Sequence, residues 1–421
     1  MPSPTHRRSF LKSMLVAGTA PLVLPSRLFG ANAPSNQITL GCVGVGHHGK
    51  RVNLVSFLAE PDCRVLAVCD AYFGRRQIAR RLVNERYDNT DCTTIADFRD
   101  LLARPDIDAV VISTPDHWHV PMTEMALDAG KMVFCEKPTL TIAEGRRLAD
   151  RVKRTGAVFA TGLEDRSVVH YHMMAQAVRN GAIGELKHIQ VGLPEKPIYA
   201  HEAPVAVPAG FDFNLWLGPA PERDYTPQLT DPQVWRQIRD FSGGSLSDWG
   251  AHLIDTAQVG NFAENTTPVA VSGKGVTPKD SVNTVPQTYE INYTYANGVT
   301  LQVVSDQPSI RFEGTDGWVG NKGWRGKLES SNMEIYRRKY DAATDQIWPR
   351  PRTEHRNFLD CIKSGEQPTY NAESLHQLST VMHMGAIAME VDRPLKWDPQ
   401  AESFDHISAN ALRSREQRKW A

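Results

Sequence analysis

The chain has no excess of charge of either sign, no long apolar run and no closely spaced cysteine pair. Its 47 Lys and Arg residues nearly balance 48 Asp and Glu residues, which argues against a polybasic nucleic-acid binder. No uninterrupted apolar run reaches the roughly 18 residues that a membrane helix needs. The hydrophobic share of 41% predicts a globular chain, and the length of 421 residues suggests two or three domains. Neither nucleic acid nor a membrane is expected as a partner.

The cysteines also exclude two kinds of site. None of the six forms a C-x-x-C pair, so neither a zinc knuckle nor a thioredoxin-type redox site is indicated. Cys42, Cys69 and Cys135 lie in apolar, strand-like runs. A buried small hydrophobe is the expected role there.

Residues 1–33 have the pattern of an export signal. Adjacent Arg7 and Arg8 are followed by Phe-Leu-Lys, an apolar stretch over 14–24 and a small-x-small site at 31–33. A basic start, a short apolar region and a cleavage site are typical of a signal peptide. The paired arginines resemble a bacterial twin-arginine signal, so we expect export of the folded chain to the periplasm. An ordinary basic tail is the alternative.

The chain changes pattern near residue 162. Before it, β-branched runs alternate with helical stretches, which predicts a parallel, doubly wound sheet in a domain over 38–162. After it, the pattern predicts an α+β domain over 163–395 with a mostly antiparallel sheet, then a charged surface tail over 396–421. In this second part we expect helices over 168–180, 353–363 and 372–390, strands over 186–193, 311–319 and 333–338, and a hairpin around Asn297-Gly298.

A glycine motif follows the first predicted strand. Gly44, Gly46 and Gly49 form G-x-G-x-x-G, which permits a tight turn, close approach of a pyrophosphate to the backbone and close helix packing. Asp70 follows the next strand, where a carboxylate bonds a ribose 2′-OH and repels a 2′-phosphate. Arg75 lies close by and would suit a phosphate, so the motif favours NAD and leaves NADP open. A glycine-rich turn with a capping aspartate is the alternative.

Two further strands lead into polar segments at the same edge of the predicted sheet. Ligand crevices of such sheets open at the carboxyl ends of the strands. The remaining predicted cofactor contacts lie in the glycine motif and in these two segments: His47, His48, Thr114, Pro115, His119, Glu136 and Lys137.

Glu-Lys-Pro at 136–138, following the glycine motif, resembles the glucose–fructose oxidoreductase/inositol dehydrogenase (Gfo/Idh/MocA) family. The resemblance extends over nearly all of the chain after residue 33 and includes the segments 242–252 and 312–317. It implies a Rossmann domain joined to an α/β domain with an open, largely antiparallel sheet. Such a sheet often forms dimers or tetramers through its outer face, so a homodimer or homotetramer is expected. The resemblance also implies Lys137, Asp248 and His252 as the catalytic residues.

The chemistry of these residues agrees with that implication. A lysine can stabilise a developing alkoxide, and an imidazole can accept the hydroxyl proton near neutral pH. Asp248 precedes His252 by four residues, so on one helix the two would share a face and the carboxylate would raise the pKa of His252. Glu-Lys-Pro could instead be only a strand-end turn with a cis-proline, and Asp248 and His252 only a solvated pair. A metal site is not predicted, because no third ligand has fitting spacing.

These observations predict an exported oxidoreductase that moves hydride between tightly bound NAD(H) and a ring hydroxyl of a sugar, glycoside or cyclitol. Tight binding is expected because free NAD is not expected outside the cytoplasm. Arg166 and Arg236 are the predicted substrate-binding residues. Some family members are redox-neutral glycoside hydrolases, which is the second hypothesis. A non-catalytic protein that retains NAD is the third.

Overall fold

The computed structural model describes residues 37–420. The predicted export signal over 1–33 lies outside these residues. Within the described range, no helix has both the length and the apolar character needed to cross a membrane.

The first sheet is parallel throughout and confirms the predicted doubly wound architecture. Its strand order is β3-β2-β1-β4-β5-β6, so the winding direction reverses between β1 and β4. Ligands bind outside the strand ends at such a switch point. The strands are β1 Ile38–Val43, β2 Cys63–Cys69, β3 Thr93–Ile95, β4 Ala109–Ile112, β5 Met132–Glu136 and β6 Phe159–Gly162.

Helices cover both faces of this sheet, as its apolar strands require. They are a π-helical segment Gly49–Leu54 that continues into α1 Val55–Ala59, then α2 Phe73–Tyr87, α3 Phe98–Leu102, a 3₁₀ turn Asp116–Trp118, α4 His119–Asp128 and α5 Ile142–Thr155. Helix α5 shows how the sequence sets such an element. Thr141 caps its first turn, Gly156 ends it in the left-handed conformation, and Leu148 and Val152 face the core.

The second sheet has nine strands in the order β13-β12-β11-β7-β10-β9-β8-β14-β15. Only β7 and β10 pair in parallel, so the sheet is mostly antiparallel, as predicted. The strands are β7 Leu186–Leu193, β8 Ala270–Val276, β9 Thr288–Thr294, β10 Thr300–Ser305, β11 Ser309–Gly314, β12 Trp318–Lys322, β13 Leu328–Ser330, β14 Leu395–Asp398 and β15 Ser403–Phe404.

Three helices of the second part pack on that sheet, namely Val169–Arg179, Gly250–Gly260 and Ala372–Val391, and the last of them also packs against α5. The helices of this part are α6 Val169–Arg179, α7 Phe213–Leu217, α8 Pro232–Trp235, α9 Gly244–Asp248, α10 Gly250–Gly260, α11 Glu334–Arg337, α12 Glu354–Ser364, α13 Ala372–Val391 and α14 Ile407–Ala411, with 3₁₀ turns at Asp165–Ser167 and Pro227–Thr230.

Two of the predicted strands differ from the structure. The segment 311–319 is not one strand, because the chain turns at Gly317 and β11 and β12 form a hairpin there. The segment 333–338 is not a strand, because Glu334–Arg337 form helix α11, before which the side chain of Asn332 accepts a hydrogen bond from the Glu334 N–H. The hairpin around Asn297-Gly298 is confirmed as the β9–β10 pair.

The end of the chain is more than a charged surface tail. Strands β14 and β15 extend the second sheet, and Trp397 and Phe404 are buried. The last described residues cross back to the first sheet, where the Trp420 ring packs edge-on against Trp118 with centroids 4.6 Å apart. Helix α12 also packs on the first sheet, through Phe358. The sequence pattern changes at the boundary between the two parts, but side chains from the second part pack on the first sheet.

Candidate active site

The glycine motif forms the turn that its residue types predict. Gly44 has a φ of 80°, and a Cβ on Gly49 would lie 2.0 Å from the Gly44 carbonyl oxygen, so strand and helix approach closely only without side chains. A Cβ on Gly46 would meet only Arg75, whose Nη1 lies 3.6 Å away. The backbone at Gly46 is therefore open to the cleft, as close approach of a pyrophosphate requires.

Asp70 lies beside this loop, at the carboxyl end of β2. Its carboxylate accepts a hydrogen bond from the Tyr72 N–H at 2.9 Å, and burial raises its pKa above the ordinary value. Arg75 lines the same end of the cleft. The structure thus brings together the carboxylate that favours NAD and the cation that would suit the 2′-phosphate of NADP.

A cleft of about 430 Å³ runs from this loop to the second part of the chain. It has the size of a small-molecule site. Thr114 and Pro115, which follow β4, line it, and the buried Thr114 hydroxyl has no hydrogen-bond partner among the described residues. An open glycine backbone after β1, a carboxylate after β2 and an unpartnered hydroxyl after β4 fit a dinucleotide.

Glu136 lines the cleft and takes part in a polar network with the glycine loop. Its carboxylate accepts from Asn53 at 2.8 Å and contacts His48 Nε2 at 3.0 Å. Although burial opposes ionisation, these partners lower the pKa of Glu136 to about 2, and the Glu136 charge raises the pKa of His48. His355 of α12 closes the network with a bond to Asn53. Glu136 is therefore an anion that fixes the glycine loop against the Glu-Lys-Pro turn.

Lys137 and Asp248 form an ion pair inside the cleft. Lys137 Nζ donates to the Asp248 carboxylate at 2.9 Å and to the Asp248 backbone carbonyl at 2.7 Å. Arg236 Nε lies 3.2 Å from the same carboxylate. Burial disfavours both charges, but the pairing raises the pKa of Lys137 and holds the pKa of Asp248 well below its usual range. Lys137 is thus a fixed ammonium suited to stabilising negative charge, and the Lys137–Pro138 peptide is cis.

His252 has a different partner from the one that its spacing predicts. The helix is interrupted at Trp249, and Asp248 is held by Lys137 and Arg236. The carboxylate that contacts His252 Nδ1, at 2.5 Å, belongs to Asp165, three residues after β6. Although burial favours the neutral ring, the charge of Asp165 raises the pKa of His252. With Nδ1 donating to Asp165, Nε2 is the nitrogen that can accept a proton.

Replacing Asp165 with Asn should therefore change the pH dependence of any reaction in which His252 is the base. In the native chain the raised pKa keeps His252 protonated to higher pH, so the acid limb of kcat/KM should have its midpoint above 6.5. Asp165→Asn should move that limb to lower pH and reduce the plateau about a hundredfold. Asp306→Asn, at an exposed position, is the control. An acid limb that Asp165→Asn leaves in place would contradict the pairing.

A second carboxylate accompanies this pair. The sequence predicts no metal site, because no third ligand has fitting spacing to Asp248 and His252. In the structure, however, Glu164, Asp165 and His252 bring ligand-type atoms within 4.8 Å of one another. Glu164 and Asp165 follow the end of β6, so their closeness to His252 cannot be predicted from the spacing of residues along α9 and α10. Arg325 forms an ion pair with Glu164, and one oxygen of the Asp165 carboxylate contacts the His252 ring, so both carboxylates have protein partners.

Several cleft residues were not predicted. The Trp249 and Trp324 rings pack edge-on with centroids 5.6 Å apart, and Trp324 lies 5.5 Å from the His252 ring and is 39% exposed. Lys196 lies beside them, with its ammonium 5.0 Å from the Trp249 ring centroid. Aromatic faces next to charged groups suit a polyhydroxylated ligand. A lone tryptophan between Gly323 and Gly326 was the available signal for Trp324.

The remaining predicted residues divide between cleft and interior. Arg236, His47 and His119 line the cleft. Both nitrogens of His119 contact backbone carbonyls, of Pro138 and Thr114, so this residue forms a wall between two turns. Arg166 is wrongly predicted as a substrate-binding residue. Its guanidinium is buried, pairs with Asp255 at 2.7 Å and 3.0 Å, and does not line the cleft.

Comparison with known proteins gives matches on both sides of the cleft. A family described as "Oxidoreductase family, NAD-binding Rossmann fold" matches residues 38–163, and one described as "Oxidoreductase family, C-terminal alpha/beta domain" matches residues 198–421. Both are models of the Gfo/Idh/MocA group that the sequence resembles.

Individual relatives match over shorter stretches. D-glucoside 3-dehydrogenase of Escherichia coli (strain K12) is 28% identical over 153 residues, which are 36% of this chain and 42% of that protein. Glycosyl hydrolase family 109 protein 1 of Shewanella sp. (strain MR-4) is 32% identical over 207 residues, 44% of each chain. The chain thus spans less than half the length of these relatives.

A solved structure extends the comparison to the whole fold. An aldose-aldose oxidoreductase from Caulobacter crescentus, complexed with glycerol, superimposes with a TM-score of 0.61 at 21% identity. The superposition covers 86% of this chain and 99% of that one. It shows the same two-sheet fold.

Proposed function

Because the chain belongs to the Gfo/Idh/MocA oxidoreductase family, whose first domain binds NAD, we propose that it transfers hydride between NAD and a CH–OH group of a sugar, glycoside or cyclitol. One observation carries this proposal. The glycine loop and Lys137, at the carboxyl ends of the parallel strands, line a single cleft together with His252 of α10, whose ring is paired with the buried Asp165.

The chain's own groups divide the reaction between them. NAD, when bound, supplies the hydride acceptor. His252 Nε2 accepts the proton of the substrate hydroxyl, and Asp165 stabilises the imidazolium that results. Lys137 donates a hydrogen bond to the same oxygen and stabilises its negative charge while the C–H bond is broken. Asp248 keeps the ammonium in place, and in the reverse direction the same groups protonate the alcohol product.

The proposal is tested by adding a panel of sugars and cyclitols to the purified full chain with NAD and recording reduced-nicotinamide absorbance. We expect a substrate-dependent increase with at least one ring alcohol. Denaturing the protein as purified should also release NAD(H), since we propose that the exported chain holds its cofactor tightly. Failure of every alcohol, with NAD shown to be bound, would contradict the proposal.

The glycosyl hydrolase relatives favour a second candidate function. In that reaction, transient oxidation of the ring acidifies a neighbouring C–H bond, the aglycone is eliminated, water adds, and the ring is reduced again. The same assay separates the two, because cleavage of an aryl glycoside without net formation of reduced nicotinamide indicates the redox-neutral reaction.

Asp70 predicts the choice of dinucleotide. We expect the native chain to bind NAD at least about tenfold more tightly than NADP, because the carboxylate accepts from a ribose 2′-OH and repels a 2′-phosphate. Asp70→Ser should remove most of that ratio, with Arg75 remaining to receive the phosphate. Titration of both dinucleotides measures the ratio, and Asp306→Ser is the control. Equal affinities in the native chain would count against this role.

A further inference from the structure

Three cationic side chains lie together in the cleft, and one of them is the catalytic lysine of the proposed function. Lys137, Lys196 and Arg236 are grouped about one carboxylate, that of Asp248. Lys137 and Arg236 contact it directly, at 2.9 Å and 3.2 Å. Asp248 thus contacts two of these three cations, and its carboxylate forms no ion pair with Lys196.

The other carboxylates that line the cleft already have partners. Asp70 accepts from Tyr72, Asp116 from Ser242, Glu136 from Asn53, and Glu164 pairs with Arg325. Burial also raises the pKa of Asp116, which favours its neutral form. None of them neutralises Lys196.

Lys196 differs from the other two cations in its contacts. Among residues 37–420 it forms no hydrogen bond or ion pair, and its ammonium lies over the Trp249 ring. Burial, with Arg236 and Lys137 nearby, lowers the pKa of Lys196. An added anion would relieve the repulsion among these groups.

Arg236 offers a second contact. Its Nε faces Asp248 and its Nη1 donates to the Pro232 carbonyl at 2.9 Å, while its guanidinium stacks on Trp235 at 4.4 Å. Its Nη2 has no partner in the described part of the chain, and 23% of the side chain is exposed. The guanidinium is therefore held in one orientation, and its Nη2 can donate a hydrogen bond to a ligand.

We propose that the substrate sugar carries an anionic oxygen substituent, a carboxylate or a phosphate, which Lys196 and Arg236 bind while Lys137 acts at the reacting oxygen. The inference rests on the proposed function, and it narrows the substrate class from sugars in general to acidic sugars. Trp249 supplies an apolar face beside the bound anion.

Binding of matched ligands tests the inference without requiring turnover. Tryptophan fluorescence of the NAD-loaded full chain is followed while glucose, galactose or mannose is added, and then the corresponding uronate and 6-phosphate. We expect the acidic member of at least one set to bind about tenfold more tightly than its neutral counterpart, with an affinity that falls as salt is raised. The uronate and 6-phosphate arms distinguish carboxylate from phosphate.

Lys196→Met should reduce that preference to near unity, whereas Lys279→Met, at an exposed position, should preserve it. If Lys196→Met does not fold, Lys196→Gln and the salt dependence of the native chain give the same decision. Equal or weaker binding of every acidic sugar, or a preference that Lys196→Met leaves intact, would overturn the inference. The proposed function fails separately, when no bound sugar, acidic or neutral, forms reduced nicotinamide.

Discussion

Replacing Lys137 with Ala should reduce kcat about a thousandfold while NAD remains bound. The ammonium is fixed by two bonds to Asp248, and the raised pKa of Lys137 keeps it charged across the working pH range. Its removal takes away the charge that stabilises the developing alkoxide. The measurement is kcat from reduced-nicotinamide absorbance, together with the Kd of NAD by titration.

Two controls show whether a loss of kcat comes from the missing ammonium. Lys279→Ala should leave both kcat and the Kd of NAD unchanged, because Lys279 is exposed and outside the cleft. Thermal unfolding of Lys137→Ala shows whether the chain is still folded, since Asp248 retains Arg236 as a partner. A folded, NAD-loaded Lys137→Ala chain with native kcat would exclude Lys137 from the chemistry.

His252→Gln should lower kcat/KM by about a thousandfold and remove the acid limb of its pH profile. Gln can keep the hydrogen bond to Asp165, so the change removes the proton acceptor with little change of packing. The acid limb disappears because no group with the raised pKa of His252 then has to lose its proton before the oxidation can proceed. The profile of kcat/KM between pH 5 and pH 9 makes this measurement over roughly the range in which a histidine titrates.

His201→Gln is the matched control, because His201 is exposed and does not line the cleft. It should preserve both the rate and the limb. An acid limb that persists in His252→Gln would mean that another group accepts the proton, and the Asp165–His252 pair would then be structural.

The cofactor end of the site could be predicted from sequence because its residues follow consecutive strands. Gly44, Asp70, Thr114 and Lys137 each come just after a buried run, and parallel strands bring their carboxyl ends to one edge. No long-range contact has to be known to place them together. The parallel sheet itself follows from the same alternation of apolar runs and helices.

The partner of His252 could not be predicted in this way. Asp165 is 87 residues earlier in the chain and meets His252 because α10 packs against the 3₁₀ turn Asp165–Ser167 that follows β6. The i,i+4 spacing of Asp248 and His252 predicts a pair, but the Asp248 carboxylate pairs with Lys137 and Arg236 instead. Short-range spacing describes one helix and does not describe what packs on it.

The sequence also does not show which polar and aromatic side chains are buried and which reach the cleft. Arg166 has the residue type of a sugar-binding group but pairs with Asp255 in the interior, whereas Lys196 and Trp324 come from irregular segments and reach the cleft. The end of the chain is a similar case, since Trp420 returns to pack on Trp118. Periodicity assigns faces of regular elements and gives no information on loops and chain ends.

A structure of the full chain with NAD and an oxidisable sugar is the most direct test of the account. The account predicts that one ring hydroxyl contacts both Lys137 Nζ and His252 Nε2, with its carbon against the nicotinamide ring. A sugar bound in the same cleft with its hydroxyls away from these two side chains, or a dinucleotide bound elsewhere, would contradict it.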